Sequence, residues 1–247
     1  MEYAEWAPHY RQILTEFRFS FEKEELAARA LVQLLPDISR VDPLPHLRPL
    51  FQNREVIVVG LAPRAGAPPI WKLPDTGRLP VLVAADGAAA RCLDGGLVPD
   101  VVVTDLDGPV PSEVLSNAHG AKVVVHAHGD NVDALRRWVP EFSGGLYGSW
   151  AGAPRDGLLD VGGFTDGDRS VFLAEHLGAS RILLYGFDFR HVAEEEESER
   201  ETKLAKLRWA SELITLLGKQ SPTPILWWSM DGSLSRYAPS TTGPSTQ

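Results

Sequence analysis

From residue 55 onward, short apolar runs along the chain stop at glycine or aspartate. Val56-Ile57-Val58-Val59 stops at Gly60, Val81-Leu82-Val83-Ala84 is followed by Asp86-Gly87, and Ile182-Leu183-Leu184-Tyr185 stops at Gly186. Val101 to Val103 and Val123 to Val125 are two more such runs, and Ile225-Leu226-Trp227-Trp228 is the last. The runs are continuous rather than alternating, which is the pattern of strands buried on both faces. Between them lie helical segments. A short one follows Gly87 to Leu93 and is closed by Gly95-Gly96, and others cover Val132 to Trp138 and Ser170 to Leu177. The strongest amphipathic pattern runs from Thr202 to Leu217 and is ended by Gly218, with Leu204, Leu207, Ala210, Leu213, Ile214 and Leu217 on one face. This alternation predicts an α/β fold, a mostly parallel sheet sandwiched by helices.

The N-terminal stretch has a different pattern. Residues 1–35 read as helical, with Ser20 capping a helix from Phe21 to Leu35 whose apolar positions include Leu26, Ala30, Val32 and Leu34. Pro36, Pro43, Pro45 and Pro49 make 36–49 an extended connector. The expected organisation is therefore an N-terminal helical segment with its connector over 1–49, an α/β catalytic domain over 50–237, and a disordered tail over 238–247. Glu194 to Glu201 reads as a solvated acidic loop.

Net charge narrows the function classes. At -9, the chain lacks the basic stripe of a nucleic-acid binder. Cys92 is the single cysteine, so an internal disulfide and a cysteine zinc cluster are excluded, and the residue reads as a small core side chain. No apolar run is long enough to span a membrane, and Glu2, Glu5, Arg11, Glu16 and Arg18 argue against a signal peptide. The expectation is a cytoplasmic protein with no membrane partner.

The candidate chemistry clusters directly after the apolar runs, where a parallel sheet presents its ligands. Asp105 and Asp107 follow Val101 to Val103 at a spacing of two, which on an extended strand points both carboxylates one way. Two hard oxygen donors suit Mg²⁺ shared with substrate phosphates, and an Asp-Gly turn is the plain alternative. Asp86 precedes Gly87 and a helix, so it is either a cap or part of a phosphate seat. His126, His128, Asp130 and Asn131 follow the next run. Zinc lacks a third soft ligand there, which leaves phosphate contact or a third carboxylate near a metal. Gly162 to Arg169 is glycine-rich and opens a helix, so its amides could cradle an anion beside Arg169, or Asp166 or Asp168 could cap the helix. It is not a Walker loop, because no Gly-Lys-Ser/Thr follows. Gly60 to Gly66, Lys203 and Lys206 on the amphipathic helix, and Asp188 complete the candidates.

These motifs, taken in order, resemble a known family. Ala85-Asp86-Gly87-Ala88, Pro99-Asp100, Thr104-Asp105-Leu106-Asp107-Gly108, His126 to Asn131, Gly162 to Arg169, Gly186-Phe187-Asp188-Phe189 and Lys203 to Leu207 together resemble the archaeal 6-hydroxymethyl-7,8-dihydropterin pyrophosphokinases. Those enzymes are distantly similar to thiamine pyrophosphokinases, so a thiamine-pyrophosphokinase-like fold is implied. Leu61-Ala62-Pro63-Arg64 departs from the family's Gly-x-Gly-Pro-Ser-Leu loop, and Phe187 stands where Met is common. The resemblance implies diphosphate transfer from ATP to the hydroxymethyl group of the pterin, releasing AMP, with Mg²⁺ as cofactor, in a pterin- or folate-type coenzyme pathway.

Residue roles follow from the same resemblance. Asp105, Asp107 and Asp86 are expected to hold the metal, with Asp130 as an assistant. Arg169 and Lys203 are expected to act catalytically alongside Asp105 and Asp107. Gly60, Arg64, Asp86, Gly87, His126, His128, Asp130, Asn131, Gly163, Thr165, Asp166, Asp168 and Lys206 are expected around the nucleotide. Asp188 and Phe187, or Trp150, are expected at the pterin. A homodimer is left open. The competing readings are a thiamine pyrophosphokinase, a glycosyltransferase-like nucleotide-sugar binder and a non-catalytic ligand-binding module.

Overall fold

Side chains of the central strands alternate between two helical layers, and this alternation builds the molecule. The computed structural model describes residues 1–37, 42–62, 65–70, 73, 77–192 and 197–238. Among these the chain runs α1 (Tyr3–Phe17), α2 (Phe21–Leu34), α3 (Leu44–Phe51), β1 (Glu55–Val59), β2 (Val81–Ala85), α4 (Ala88–Asp94), β3 (Val101–Thr104), α5 (Val110–Ala118), β4 (Lys122–Ala127) and α6 (Val132–Trp138). It continues through β5 (Leu146–Trp150), β6 (Leu158–Leu159), α7 (Asp166–His176), β7 (Arg181–Tyr185), α8 (Glu197–Gln220), β8 (Ile225–Trp228) and β9 (Leu234–Arg236). The nine strands form one sheet in the order β6-β5-β4-β3-β2-β1-β7-β8-β9. Every pairing is parallel except β8 with β9. The predicted mostly parallel sheet between helices is therefore observed.

Val56 and Val58 of β1 point into a core shared with α1, α3, α7 and α8, whereas Ile57 and Val59 point into one shared with α2, α4, α5 and α6. The same division recurs in β2, with Val81 and Val83 on one side and Leu82 and Ala84 on the other. A strand covered on both faces gains nothing from a polar alternate position, which is why these runs read as uninterrupted valine, isoleucine and leucine. The two N-terminal helices end up on opposite faces, so the Arg18–Ser20 link crosses from one layer to the other. As expected, Ser20 caps α2, its Oγ accepting from the Lys23 amide at 3.4 Å.

Several expectations need correction. The buried stripe of α2 is Glu24, Ala27, Ala28 and Leu31, and Leu26, one of the apolar positions read from the sequence, is 57% exposed. Residues 44–49 are helical rather than extended, because Pro43 and Pro45 sit at the start of α3, where a missing N–H costs no hydrogen bond. α7 begins at Asp166, four residues before the expected Ser170. α8 begins at Glu197 and passes through Gly218 to Gln220. A helical glycine costs only about 1 kcal/mol, and Pro222 lies just beyond the end. Glu197 to Glu201 thus belong to a helix rather than a loop, while 194–196 and the tail from 239 lie outside the described residues. α5, β5, β6 and β9 are additional elements. Cys92 is buried in the core as expected, and burial pushes its thiol up to about 12. Among the described residues, no helix is long and apolar enough to cross a membrane.

Candidate active site

Strands β2 and β3 are parallel neighbours with Ala85 paired to Val103, so Asp86 and Asp105 leave the same sheet edge side by side. β3 ends at Thr104, and the next residues form a turn rather than an extended strand. Leu106 is left-handed (φ +69°) and tucks its side chain inward, while the Asp107 amide donates to Asp105 Oδ1 at 3.2 Å. The turn reading and the paired-carboxylate reading of this motif are thus the same structure. Oxygens of Asp86, Asp105 and Asp107 all lie within 4.8 Å of one another. Asp86 is not a helix cap, since Gly87 takes that position without a side-chain bond and Asp86 instead accepts from Thr104 Oγ1 at 3.3 Å. Sequence reasoning assigned no role to Gly108. A Cβ there would lie 2.3 Å from Asp86 Oδ2, so only glycine leaves room for that carboxylate.

Three carboxylates this close repel one another, and their proton affinities record it. Burial works to raise Asp105, but hydrogen bonding and charge from His128, with Arg169 behind, hold it down at about 2. Partial burial, then the charges of Asp105 and Asp86, push Asp107 up to about 6, although its outer face is open to solvent. Behind them, Glu113 is fully buried, and burial together with the Asp86 charge lifts it to about 9. Its Oε1 accepts from Thr104 Oγ1 at 3.0 Å. Three hard oxygen donors on one edge suit a divalent cation, whose charge would offset this repulsion.

The elevated Glu113 gives a pH prediction. A carboxyl whose folded pKa exceeds its unfolded value keeps its proton only in the native state, so its contribution is complete below the unfolded pKa and falls as pH rises toward 9. Glu113→Gln retains an acceptor for Thr104 and needs no proton. Its Tm relative to wild type should therefore climb steadily between pH 5 and pH 8, and a pH-independent difference contradicts the assignment.

The adjacent strand supplies histidines. His128 Nε2 lies 3.4 Å from Asp105 Oδ2, and the buried His126 pairs its Nδ1 with Ser149 Oγ at 3.0 Å. Burial pushes His126 well below the ordinary histidine range, so its ring is neutral. Asn131 pins the turn: its Nδ2 donates to the carbonyls of Asp105 and His126, both at 2.8 Å, and its Oδ1 accepts from the His128 amide. Both of its polar groups are thus occupied by backbone. α7 packs across β1, β2 and β3, which brings its start to the acidic edge. Asp166 is raised by burial and by Asp105, with Arg169 opposing and Asp86 and Asp107 adding to the rise. Arg169 is 3% exposed and donates to the carbonyls of Gly163 and Phe164.

The remaining expected residues separate. Lys206 half-buries against the cleft beside Asp105, whereas Lys203, one turn earlier, is exposed. The α7 cap is Thr165 and not an aspartate. Asp168 closes the capping box, fully buried, accepting from the Phe164 and Thr165 amides at 2.7 Å, so both residues are engaged in capping α7. Asp130 is exposed and stands outside the carboxylate trio. Asp188 closes its own turn, accepting from the Arg190 and His191 amides, and Phe187 packs on Phe189. Neither lines the cleft beside Asp105, nor does Trp150, which is buried in the opposite layer. Gly60 uses its carbonyl to accept from Arg91, and Arg64 lies outside the described residues.

Comparison with known proteins identifies relatives of the chain. Residues 29–194 match the family described as 6-hydroxymethylpterin diphosphokinase MptE-like. A 6-hydroxymethyl-7,8-dihydropterin pyrophosphokinase from Pyrococcus furiosus is 36% identical over 93% of this chain and all of its own length. The enzyme of that name from Methanothermobacter thermautotrophicus is also 36% identical, over 92% of this chain and its full length. Among solved structures, thiamine pyrophosphokinase from Bacillus subtilis aligns with TM-score 0.40 and 13% identity, over 70% of this chain and 60% of that one.

Proposed function

The chain belongs to the 6-hydroxymethylpterin diphosphokinase MptE-like family, and on that premise we propose that it transfers diphosphate from ATP to the hydroxymethyl oxygen of 6-hydroxymethyl-7,8-dihydropterin. The observation that carries this reading at the atomic level is the convergence of Asp86, Asp105 and Asp107 at one strand edge. These three residues would hold Mg²⁺, which when bound neutralises charge on the ATP phosphates. In the transfer, the alcohol oxygen bonds to the β-phosphorus, the bond to the oxygen bridging to the α-phosphorus breaks, and AMP leaves with the proton of the alcohol released. The chain's part is positioning and charge. His128 fixes the Asp105 carboxylate, Asn131 holds the backbone beneath it, and Lys206 places a cation next to the trio. Lys203 joins that role as a further cation near the nucleotide, and Arg169 supports Asp105 from the buried side. The reading also takes the enzyme to be cytoplasmic.

The test is a product assay with purified protein, ATP, Mg²⁺ and the pterin alcohol. AMP should appear one-for-one with pterin diphosphate, and chelation of the divalent ion should abolish both. ADP as the nucleotide product, or thiamine accepted in place of the pterin, contradicts the reading.

A further inference from the structure

Resting on that reading, we propose that the cleft between α1, α2 and the strand ends is the pterin pocket, and that Glu24 selects the substrate by accepting from the 2-amino group and N3–H of its pyrimidine ring. Aromatic side chains wall this cleft, Trp6, Tyr10 and Phe19 with Phe164, and it opens onto Asp105. Flat faces of this kind suit a planar heterocycle. Glu24 is 4% exposed and lies in phase with Ala27, Ala28 and Leu31 on the buried stripe of α2. Placing a carboxylate there is costly unless it is hydrogen-bonded. Its Oε1 accepts from the Gly129 amide at 3.0 Å and its Oε2 from Tyr10 Oη at 3.2 Å. Each oxygen of a carboxylate has a second lone pair to offer.

A second observation points to a ligand. Arg169 Nε is buried, has no hydrogen-bond partner among the described residues, and belongs to the same cleft wall. A pterin presents two adjacent donors, the 2-amino group and N3–H, followed by the O4 acceptor. Glu24 supplies the complementary acceptors and Arg169 the donor. The link to the reacting end is short, because Gly129, which donates to Glu24, follows His128, which touches Asp105. A ring anchored on Glu24 thus directs its hydroxymethyl arm toward the acidic trio. The free volume within this partly open cleft is about 50 Å³, well under a typical ligand pocket of about 300–1,000 Å³, so ring entry displaces wall side chains. Phe19, on the link between α1 and α2, packs against Phe17 and Phe164 in that wall.

The experiment compares Glu24→Gln with wild type, using the pterin alcohol and its analogue lacking the 2-amino group. Gln places a donor against the ring's donors, so KM for the pterin should rise at least about tenfold while KM for ATP stays within about twofold. Wild type should disfavour the analogue by about 10–100-fold, and Glu24→Gln should narrow that gap to a few-fold. Equal use of both acceptors by wild type overturns the proposal, whether or not the variant folds. A parallel rise in both KM values with a lowered Tm also overturns it, by making Glu24 structural. No turnover of the pterin by wild type overturns the functional reading itself, and this inference with it.

Discussion

Asp105→Asn should lower turnover by at least about a thousandfold while leaving the Tm of the ligand-free protein within about 3 °C of wild type. The loss in rate corresponds to about 4 kcal/mol of transition-state stabilisation, the scale expected when a charged group facing the phosphates is neutralised. Stability changes little because two effects oppose each other. Asp105 is held at about 2, below its unfolded value, so its ionised form stabilises the fold above the unfolded pKa, and that contribution is lost as pH falls through 2. The variant forgoes this contact with His128, a largely buried pair worth about 1–2 kcal/mol. In return it removes one of three mutually repelling charges, and its amide oxygen still accepts from the Asp107 N–H. Parallel kinetics and thermal melts check both halves. Wild-type turnover in the variant contradicts the site, and a large fall in Tm makes the residue structural.

Trp6→Ala should cost about 3–5 kcal/mol, lowering Tm by about 6–20 °C. Trp6 is 1% exposed in the core that α1 shares with the sheet. It stacks on Tyr10 with centroids 6.1 Å apart and meets the edge of Phe172 of α7 at 6.3 Å. Its indole N–H donates to the Ala151 carbonyl at 2.7 Å, just past the end of β5. Truncation leaves a large cavity and strands that carbonyl. Trp6→Phe keeps most of the packing and loses only the hydrogen bond, so it should cost about 1 kcal/mol. Thermal or urea melts order the two variants. Equal, negligible losses would mean that α1 contributes nothing to the stability of the α/β layers.

What the sequence made legible follows from how each element is buried. β1, β2, β3 and β7 stood out because both faces are covered, so every position is apolar apart from Glu55, Thr104 and Arg181 at strand ends. β5 did not, because Leu146-Tyr147-Gly148-Ser149-Trp150 breaks the run. Gly148 sits where a Cβ would meet Leu158 at 2.4 Å and Leu35 at 2.9 Å, so close packing of β6 and α2 selects a residue that reads as a turn. α3 was hidden by its prolines: Pro43 and Pro45 sit at its start, where they are tolerated, while Pro49 stands inside the helix. At the site, Asp86, Asp105 and Asp107 were legible because strand ends place them together. Asp188 was not legible in the same way, since an Asp after a strand can equally close its own turn, as it does here with Arg190 and His191. Glu24 was missed because the apolar positions read for α2, Leu26, Ala30, Val32 and Leu34, do not mark the buried stripe that runs through Leu31. The available signal was a glutamate in phase with Ala27, Ala28 and Leu31, which on a buried face calls for a partner.

The most direct test of the central claim is the fate of the β-phosphorus. ATP labelled at that position with ³²P is incubated with the protein, Mg²⁺ and the pterin alcohol, and the products are separated. Diphosphate transfer moves the label into the pterin product and leaves unlabelled AMP. Label retained in ADP would mean that only the γ-phosphoryl group moved, and the assignment of this site to diphosphate transfer would be wrong.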